Sequence, residues 1–127
     1  MYKRIFFVIL LPLMFSMRLF GMAQADSVDV EKFDKLRSEG YTIIDVRTQE
    51  EYGEGHIEGA VLINIYAPDF KEKISALDKN GKYLVYCRSG NRSNRAAIYM
   101  NETGIKEALN LIGGIIAWKK AGKPVVN

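Results

Sequence analysis

From Asp26 to the C-terminus, short apolar runs typical of buried strands alternate with amphipathic segments of helical periodicity. Helices placed between consecutive strands carry the chain back across a sheet, so this alternation predicts parallel strands with helices on both faces. Neither an internal repeat nor a Pro/Ser-rich linker interrupts the pattern. We therefore predict one α/β domain with a mostly parallel sheet, because 127 residues are too few for two ordinary domains.

The individual segments follow from apolar spacing and from capping and turn residues. The predicted strands are 41–46, 61–65, 83–86 and 108–111, and the predicted helices are 30–38, 70–77, 93–102 and 115–121. Asp29 is the expected N-cap of the first helix. Thr48 and Glu51 match the capping box of a further short helix, which Gly53 and Gly55 are expected to end. This pattern does not determine the order of the strands in the sheet.

The first 25 residues have the features of a secretory signal peptide. Residues 1–4 are basic, residues 5–15 are almost wholly apolar, and residues 22–25 offer small side chains at A-x-A spacing. Pro12 and Arg18 interrupt the apolar run, which falls short of the roughly 20 residues that a membrane-spanning helix needs. We expect cleavage after Ala25 and a mature domain, residues 26–127, that is periplasmic or otherwise exported and not stably bound to a membrane.

The net charge of the chain resides in that N-terminal segment. It contains Lys3, Arg4 and Arg18 but no acidic residue, so its removal lowers the 18 basic residues to 15, equal to the 15 acidic ones. A nucleic-acid-binding domain needs a basic face on its folded part. The composition of the mature domain therefore gives no support for nucleic-acid binding.

Cys87 is the single cysteine of the chain. In an oxidising compartment, paired cysteines normally form structural disulfides, which one cysteine cannot do within its own chain. The same count excludes a cysteine-rich metal site. Cys87 is thus a buried inert residue, a means of pairing two chains or a reactive thiol, and its surroundings decide among these.

The surroundings of Cys87 favour a reactive thiol. Cys87 follows a predicted buried strand and precedes a helix, and ligands of open α/β sheets bind beyond the carboxyl ends of such strands. Residues 87–92 form a short loop in which Gly90 permits unusual backbone torsions and several N–H groups can point at an anion. The positive end of the helix dipole, the loop amides and the cations Arg88 and Arg92 all favour the thiolate.

At this point the sequence resembles the rhodanese family. Residues 87–93, followed by Ala96-Ala97, are similar to the active-site loop and helix of that family. The other motifs also occur in the expected order; they are Asp45-Val46-Arg47 with Glu50-Glu51-Tyr52, Gly55 to Ala60, and Leu111 to Gly114 with Trp118 and Gly122-Lys123-Pro124. The resemblance covers residues 28–125, and it departs at Ile65-Tyr66, where a proline often closes the strand.

The resemblance implies a rhodanese-like three-layer α/β/α domain with a mostly parallel five-stranded sheet. It also implies sulfur transfer, in which the Cys87 thiolate takes the outer sulfur of thiosulfate or a related donor and passes it from a persulfide to cyanide or a thiol. We expect no cofactor and no metal, and a monomer whose partners are a small anionic donor and a thiophilic acceptor.

The resemblance gives the neighbours of Cys87 their roles. Arg88 and Arg92 are the candidates for attracting the donor's sulfonate, with Arg88 preferred. The backbone amides expected to stabilise the persulfide are those of Ser89, Gly90, Asn91, Arg92 and Ser93.

Three further polar residues are interpreted as structural. Asp45 and Arg47 end a predicted buried strand, where a carboxylate and a guanidinium most often satisfy each other or nearby backbone groups. His56 is the only histidine, and its glycine-rich context and the family resemblance both favour a structural role over a catalytic Cys/His pair.

Three other functions compete with sulfur transfer. Cysteine-dependent phosphatases and arsenate reductases of the related fold have five residues between cysteine and arginine, whereas Cys87 and Arg92 enclose four. A non-catalytic rhodanese-like module, binding a partner or only carrying sulfur, remains open because an intact cysteine does not exclude it. A thioredoxin-type redox protein would need a second cysteine.

Overall fold

The structure is a computed structural model, and it describes residues 24–127. The strands are β1 (Ser27–Val28), β2 (Thr42–Asp45), β3 (Val61–Leu62), β4 (Lys82–Tyr86) and β5 (Glu107–Leu111). The helices are α1 (Val30–Ser38), α2 (Gln49–Glu54), α3 (Phe70–Ser75), α4 (Asn91–Glu102) and α5 (Gly114–Lys120). Strands and helices alternate strictly along the described part of the chain, from β1 to α5.

The five strands form one sheet in the order β1-β5-β4-β2-β3, and every pair is parallel. β4 is the middle strand, so both of its edges are hydrogen-bonded to neighbours. Asp45 at the end of β2 is in register with Tyr86 at the end of β4. The carboxyl ends of the central strands therefore meet at one edge of the sheet, where Cys87 follows β4.

Each face of the sheet has its own apolar core. Phe70 and Ile74 of α3 pack on one face together with Ala96, Ala97 and Met100 of α4. Phe33 and Leu36 of α1 pack on the other face with Ile115 and Trp118 of α5. Alternate residues of β4 supply the two cores, because successive side chains of a strand point to opposite faces.

The predicted α/β class is confirmed, as are the three layers and the five-stranded sheet that the resemblance implies. Every strand pair of the sheet is parallel among the described residues. An isolated antiparallel bridge between His56 and Val126 lies outside the five strands. None of the helices between residues 24 and 127 has the length and apolar character needed to cross a membrane.

Several element boundaries differ from the sequence predictions. α4 begins at Asn91 and not at residue 93, because Gly90 has a φ of 104° at the N-cap and turns the chain directly into the helix. Arg92 therefore lies in the first turn of α4 and not in the loop. Gly53 does not end α2, which continues to Glu54 before Gly55 caps it at a φ of 151°.

The outer strands are shorter than predicted or were not predicted at all. β3 contains two residues of the predicted 61–65, although Ile63 and Ile65 still donate N–H groups to the carbonyls of Asp45 and Val46. β1 has only two residues, too few to show a period, and is held by pairing with Asn110 and Leu111.

Candidate active site

Cys87 lies at the carboxyl end of the middle strand, directly after β4, and only 1% of its surface is exposed. Its carbonyl oxygen accepts a hydrogen bond of 2.9 Å from the N–H of Ile115 in the first turn of α5. The thiol is thus held between the sheet and the starts of two helices, α4 and α5. The backbone that buries the thiol in this position also carries N–H groups that can donate hydrogen bonds to it.

The sulfur of Cys87 is surrounded by hydrogen-bond donors. The N–H of Gly90 lies 3.1 Å from Sγ and the hydroxyl of Ser93 lies 3.2 Å from it. The backbone amides directed at the sulfur are those of Ser93, Gly90 and Ser89. Burial raises the pKa of the Cys87 thiol, but the Ser93 hydroxyl and these amides outweigh burial and hold the pKa below its ordinary value.

The N-terminus of α5 orients the loop that supplies these donors. The Ile116 N–H donates to the carbonyl of Arg88 at 3.2 Å, as Ile115 does to Cys87. In a trans peptide the N–H points away from the preceding C=O, so turning the Arg88 carbonyl toward α5 directs the Ser89 N–H away from that helix. The loop amides are therefore free to face the sulfur.

The two candidate arginines have different surroundings. Arg92 makes a bidentate ion pair with Glu51 of α2, with N–O distances of 2.7 and 2.9 Å, and its guanidinium lies 5.9 Å from the ring centre of Tyr66. The hydrogen bond from Arg92 lowers the pKa of Glu51 to about 2, against the effect of burial. Arg88 is exposed and takes part in none of the salt bridges formed among residues 24–127.

Asp45 and Arg47 form a buried cluster with Tyr86, the residue before Cys87. Arg47 donates Nε and Nη2 to the Asp45 carboxylate and Nη2 to the carbonyl of Gly55. Tyr86, the residue before Cys87, donates its hydroxyl to Asp45 Oδ2 at 2.7 Å. Burial and the negative charge of Asp45 raise the pKa of Tyr86, so the phenol stays protonated and remains a donor.

The described contacts of His56 are with Tyr52 and Val126, and none of its described hydrogen bonds involves Cys87. Its ring is stacked on Tyr52 at 3.7 Å between ring centres, and Nδ1 lies 2.9 Å from the Tyr52 carbonyl oxygen. Its backbone pairs with Val126 near the C-terminus. These contacts join α2 to the C-terminal segment of the domain.

Two residues at the site were not found by sequence reasoning. The sequence predicted Glu51 as part of a capping box, which does form, and as part of a family motif, but not that its carboxylate binds Arg92. Asn110 of β5 accepts a hydrogen bond of 2.6 Å from the Ser93 hydroxyl. No local sequence signal indicates either contact, because the partners are 41 and 17 residues apart.

Comparison with known proteins identifies the fold family. A model of the rhodanese-like domain matches residues 29–121, which include every element from α1 to α5. This chain belongs to the rhodanese family. The described arrangement of strands and helices is therefore that of a rhodanese-like domain.

Named relatives of this rhodanese domain include sulfurtransferases. A sulfurtransferase of Allochromatium vinosum is 36% identical over 89 residues, covering 70% of this chain and 81% of its own. The thiosulfate sulfurtransferase GlpE of Pseudomonas fluorescens is 33% identical over 99 residues, covering 77% and 88%. A rhodanese-related protein of Thermoplasma volcanium superposes with a TM-score of 0.71 at 32% identity, over 80% of this chain and 97% of its own.

Proposed function

We propose that this rhodanese domain is a sulfurtransferase that carries sulfur as a persulfide on Cys87. The Cys87 thiolate attacks the outer sulfur of thiosulfate or a related donor, the S–S bond of the donor breaks, and sulfite leaves with the electron pair. A thiophilic acceptor such as cyanide or a thiol then attacks the terminal sulfur of the persulfide, and the thiolate returns. The two displacements balance without an added oxidant or reductant.

The observation that carries this proposal is the set of donors around one buried sulfur. The Gly90 amide and the Ser93 hydroxyl approach Sγ to 3.1 and 3.2 Å. Donors fixed around a sulfur that bears negative charge stabilise both the attacking thiolate and the thiolate that leaves in the second step. A cysteine that only filled the core would need no such donors, because a thiol is a weak acceptor.

Steady-state turnover of thiosulfate and cyanide tests the proposal. Plots of reciprocal rate against the reciprocal concentration of one substrate, at several fixed concentrations of the other, should be parallel lines. This pattern is expected because sulfite leaves before cyanide binds. Cys87→Ala protein, which removes only the thiol, should show no turnover above the uncatalysed reaction. Undiminished turnover in that variant would place the activity outside Cys87.

We further propose that Arg88 provides the main attraction for the donor's sulfonate. Arg88 directly follows Cys87 in the chain and its side chain is exposed, whereas the charge of Arg92 is compensated by Glu51. Arg88→Ala should raise the KM for thiosulfate roughly tenfold, as expected for one charge-assisted hydrogen bond at an exposed site, and leave the KM for cyanide unchanged. Arg37→Ala, an exposed arginine of α1, is the matched control; equal kinetics for both variants would remove Arg88 from the donor site.

The same cysteine chemistry leaves a phosphatase or arsenate reductase as the competing enzyme. With only four residues between Cys87 and Arg92, the loop should close too tightly around a tetrahedral oxyanion. Aryl phosphate is therefore expected not to turn over. Hydrolysis that disappears in Cys87→Ser protein would contradict this expectation.

We also propose that the domain acts after export. The signal segment is expected over residues 1–25, and residues 1–23 of it lie outside the described residues. Cleavage after Ala25 stays a prediction. Ala25 is buried in the uncleaved chain, and its N–H donates to Asn94 Oδ1 at 3.1 Å. Cleavage after Ala25 would remove this contact. N-terminal sequencing of protein recovered from the exported fraction tests the site: a mature start at Asp26 supports it, and an intact leader or a cytoplasmic location contradicts it.

A further inference from the structure

The Ser93 hydroxyl lies between two groups that compete for its single proton. Its Oγ is 3.2 Å from Cys87 Sγ and 2.6 Å from Asn110 Oδ1, and both Ser93 and Asn110 are buried. A hydroxyl donates one hydrogen bond and accepts up to two. Ser93 can therefore donate to the sulfur or to Asn110, but it cannot fully serve both.

The direction of that proton decides which form of Cys87 is favoured. When the proton points to Asn110 Oδ1, Ser93 presents only lone pairs to the sulfur, and these suit a protonated thiol. When the Asn110 amide presents Nδ2 to Ser93, Ser93 becomes an acceptor on that side and its proton is free for the thiolate. The orientation of one buried amide thus selects between two hydrogen-bond patterns at the sulfur.

The far side of Asn110 can accept both orientations. Asn110 Nδ2 donates to Ser27 Oγ at 3.3 Å. In the uncleaved chain Ser27 Oγ also donates to the Ala25 carbonyl at 3.3 Å, an acceptor that cleavage after Ala25 would remove. After rotation of the amide, the Ser27 hydroxyl can donate to Asn110 Oδ1, with or without Ala25. Because a hydroxyl can reverse its role, Asn110 keeps a partner on both sides in either state.

We propose that Asn110 is a positioning residue for Cys87, acting through Ser93: its amide orientation sets whether the Ser93 proton points to the sulfur. This inference deepens the proposed function and rests on Cys87 as its nucleophile. Arg92, which is paired with Glu51, interacts electrostatically with Cys87, and Arg88 is the other cation of the loop sequence. Neither contacts Asn110 through a described hydrogen bond, so the effect of Asn110 should require Ser93.

Thiolate absorbance measured against pH tests this chain of contacts without any sulfur donor. Cys87 is the only thiol, and subtracting the spectrum of Cys87→Ser protein removes the tyrosine contribution. At the pH where half of the wild-type thiol is ionised, Ser93→Ala should lower the thiolate-to-thiol ratio roughly tenfold, since it deletes a donor to a charged group. Asn110→Ala should raise the ratio a few-fold, because it deletes the group that competes with the sulfur for the Ser93 proton. An unchanged ratio would contradict the role of Asn110.

The double variant Ser93→Ala/Asn110→Ala separates positioning from a merely structural role. We expect its ratio to equal that of Ser93→Ala, since Asn110 has no route to the sulfur without the hydroxyl. A ratio that falls in Asn110→Ala as far as in Ser93→Ala would overturn the proposal, as would an Asn110 effect that persists without Ser93. Thermal unfolding of each variant identifies any that misfold. If Asn110→Ala does not fold, Asn110→Ser replaces it, because serine keeps a group that can donate or accept. Its ratio should be close to that of the wild type.

The titration and the sulfur-transfer assay can fail independently. A wild-type protein that does not turn over thiosulfate would contradict the proposed function and leave the titration intact. A titration without the expected order of ratios would contradict the role of Asn110 and leave sulfur transfer intact.

Discussion

Replacing Asp45 with alanine should lower the free energy of unfolding by about 3–5 kcal/mol, the usual cost of breaking a buried ion pair from one side. The Asp45 and Arg47 side chains are 0% and 5% exposed, so Arg47 would keep a charge that water cannot reach. Tyr86 would lose the acceptor of its hydroxyl at the same time. Chemical denaturation followed by circular dichroism measures the change.

The matched control is Asp69→Ala at the start of α3. Asp69 pairs with Lys73 at 3.4 Å, but both side chains are about half exposed and Asp69 makes no capping hydrogen bond. We expect a change below about 1 kcal/mol, as for other surface ion pairs. Similar losses in the two variants would show that the buried cluster does not stabilise the fold as described.

The second large effect should come from Gly114→Ala at the start of α5. Gly114 has a φ of 58°, and a Cβ added there would overlap the Arg88 carbonyl and lie 2.6 Å from the Cys87 carbonyl oxygen. These atoms are backbone, so either the loop or α5 must move. The amides around the sulfur would move with the loop, and we expect kcat/KM for sulfur transfer to fall roughly 10- to 100-fold.

Gly122→Ala is the control for the strain of the backbone alone. Gly122 has a similar φ of 76°, but nothing lies within 4 Å of its added Cβ. This variant should lose about 1–2 kcal/mol of stability from the left-handed conformation and keep its turnover. An equal loss of kcat/KM in both variants would mean that contact with the cysteine loop is not what makes Gly114 important.

The parts of the fold that depend on neighbouring residues could be predicted from the sequence. Asp29 caps α1 by accepting the Lys32 N–H at 2.8 Å, and Thr48 and Glu51 form the predicted capping box. The strand that ends before Cys87 and the helix that follows it were also predicted, because apolar runs and turn residues mark them locally. The order of the strands in the sheet could not be predicted, because pairing between segments far apart in the chain leaves no periodic signal in the sequence.

In the candidate site, too, the contacts between residues near in the chain could be predicted and those between distant residues could not. The loop after Cys87 could be recognised because its residues are consecutive, and Gly90 marks the reversal that starts α4. The contact of Arg92 with Glu51 could not, because it joins the first turns of two helices that only the folded sheet brings together. Asn110 reaches Ser93 from a neighbouring strand for the same reason.

The most direct test of sulfur transfer is the intact mass of the protein before and after thiosulfate, and again after cyanide. We expect a gain of one sulfur atom on thiosulfate, located at Cys87 by peptide mapping, and its complete loss on cyanide. Cys87→Ser protein should gain nothing under the same conditions. No gain in the wild-type protein, or a gain that persists in Cys87→Ser, would contradict a persulfide carried by Cys87.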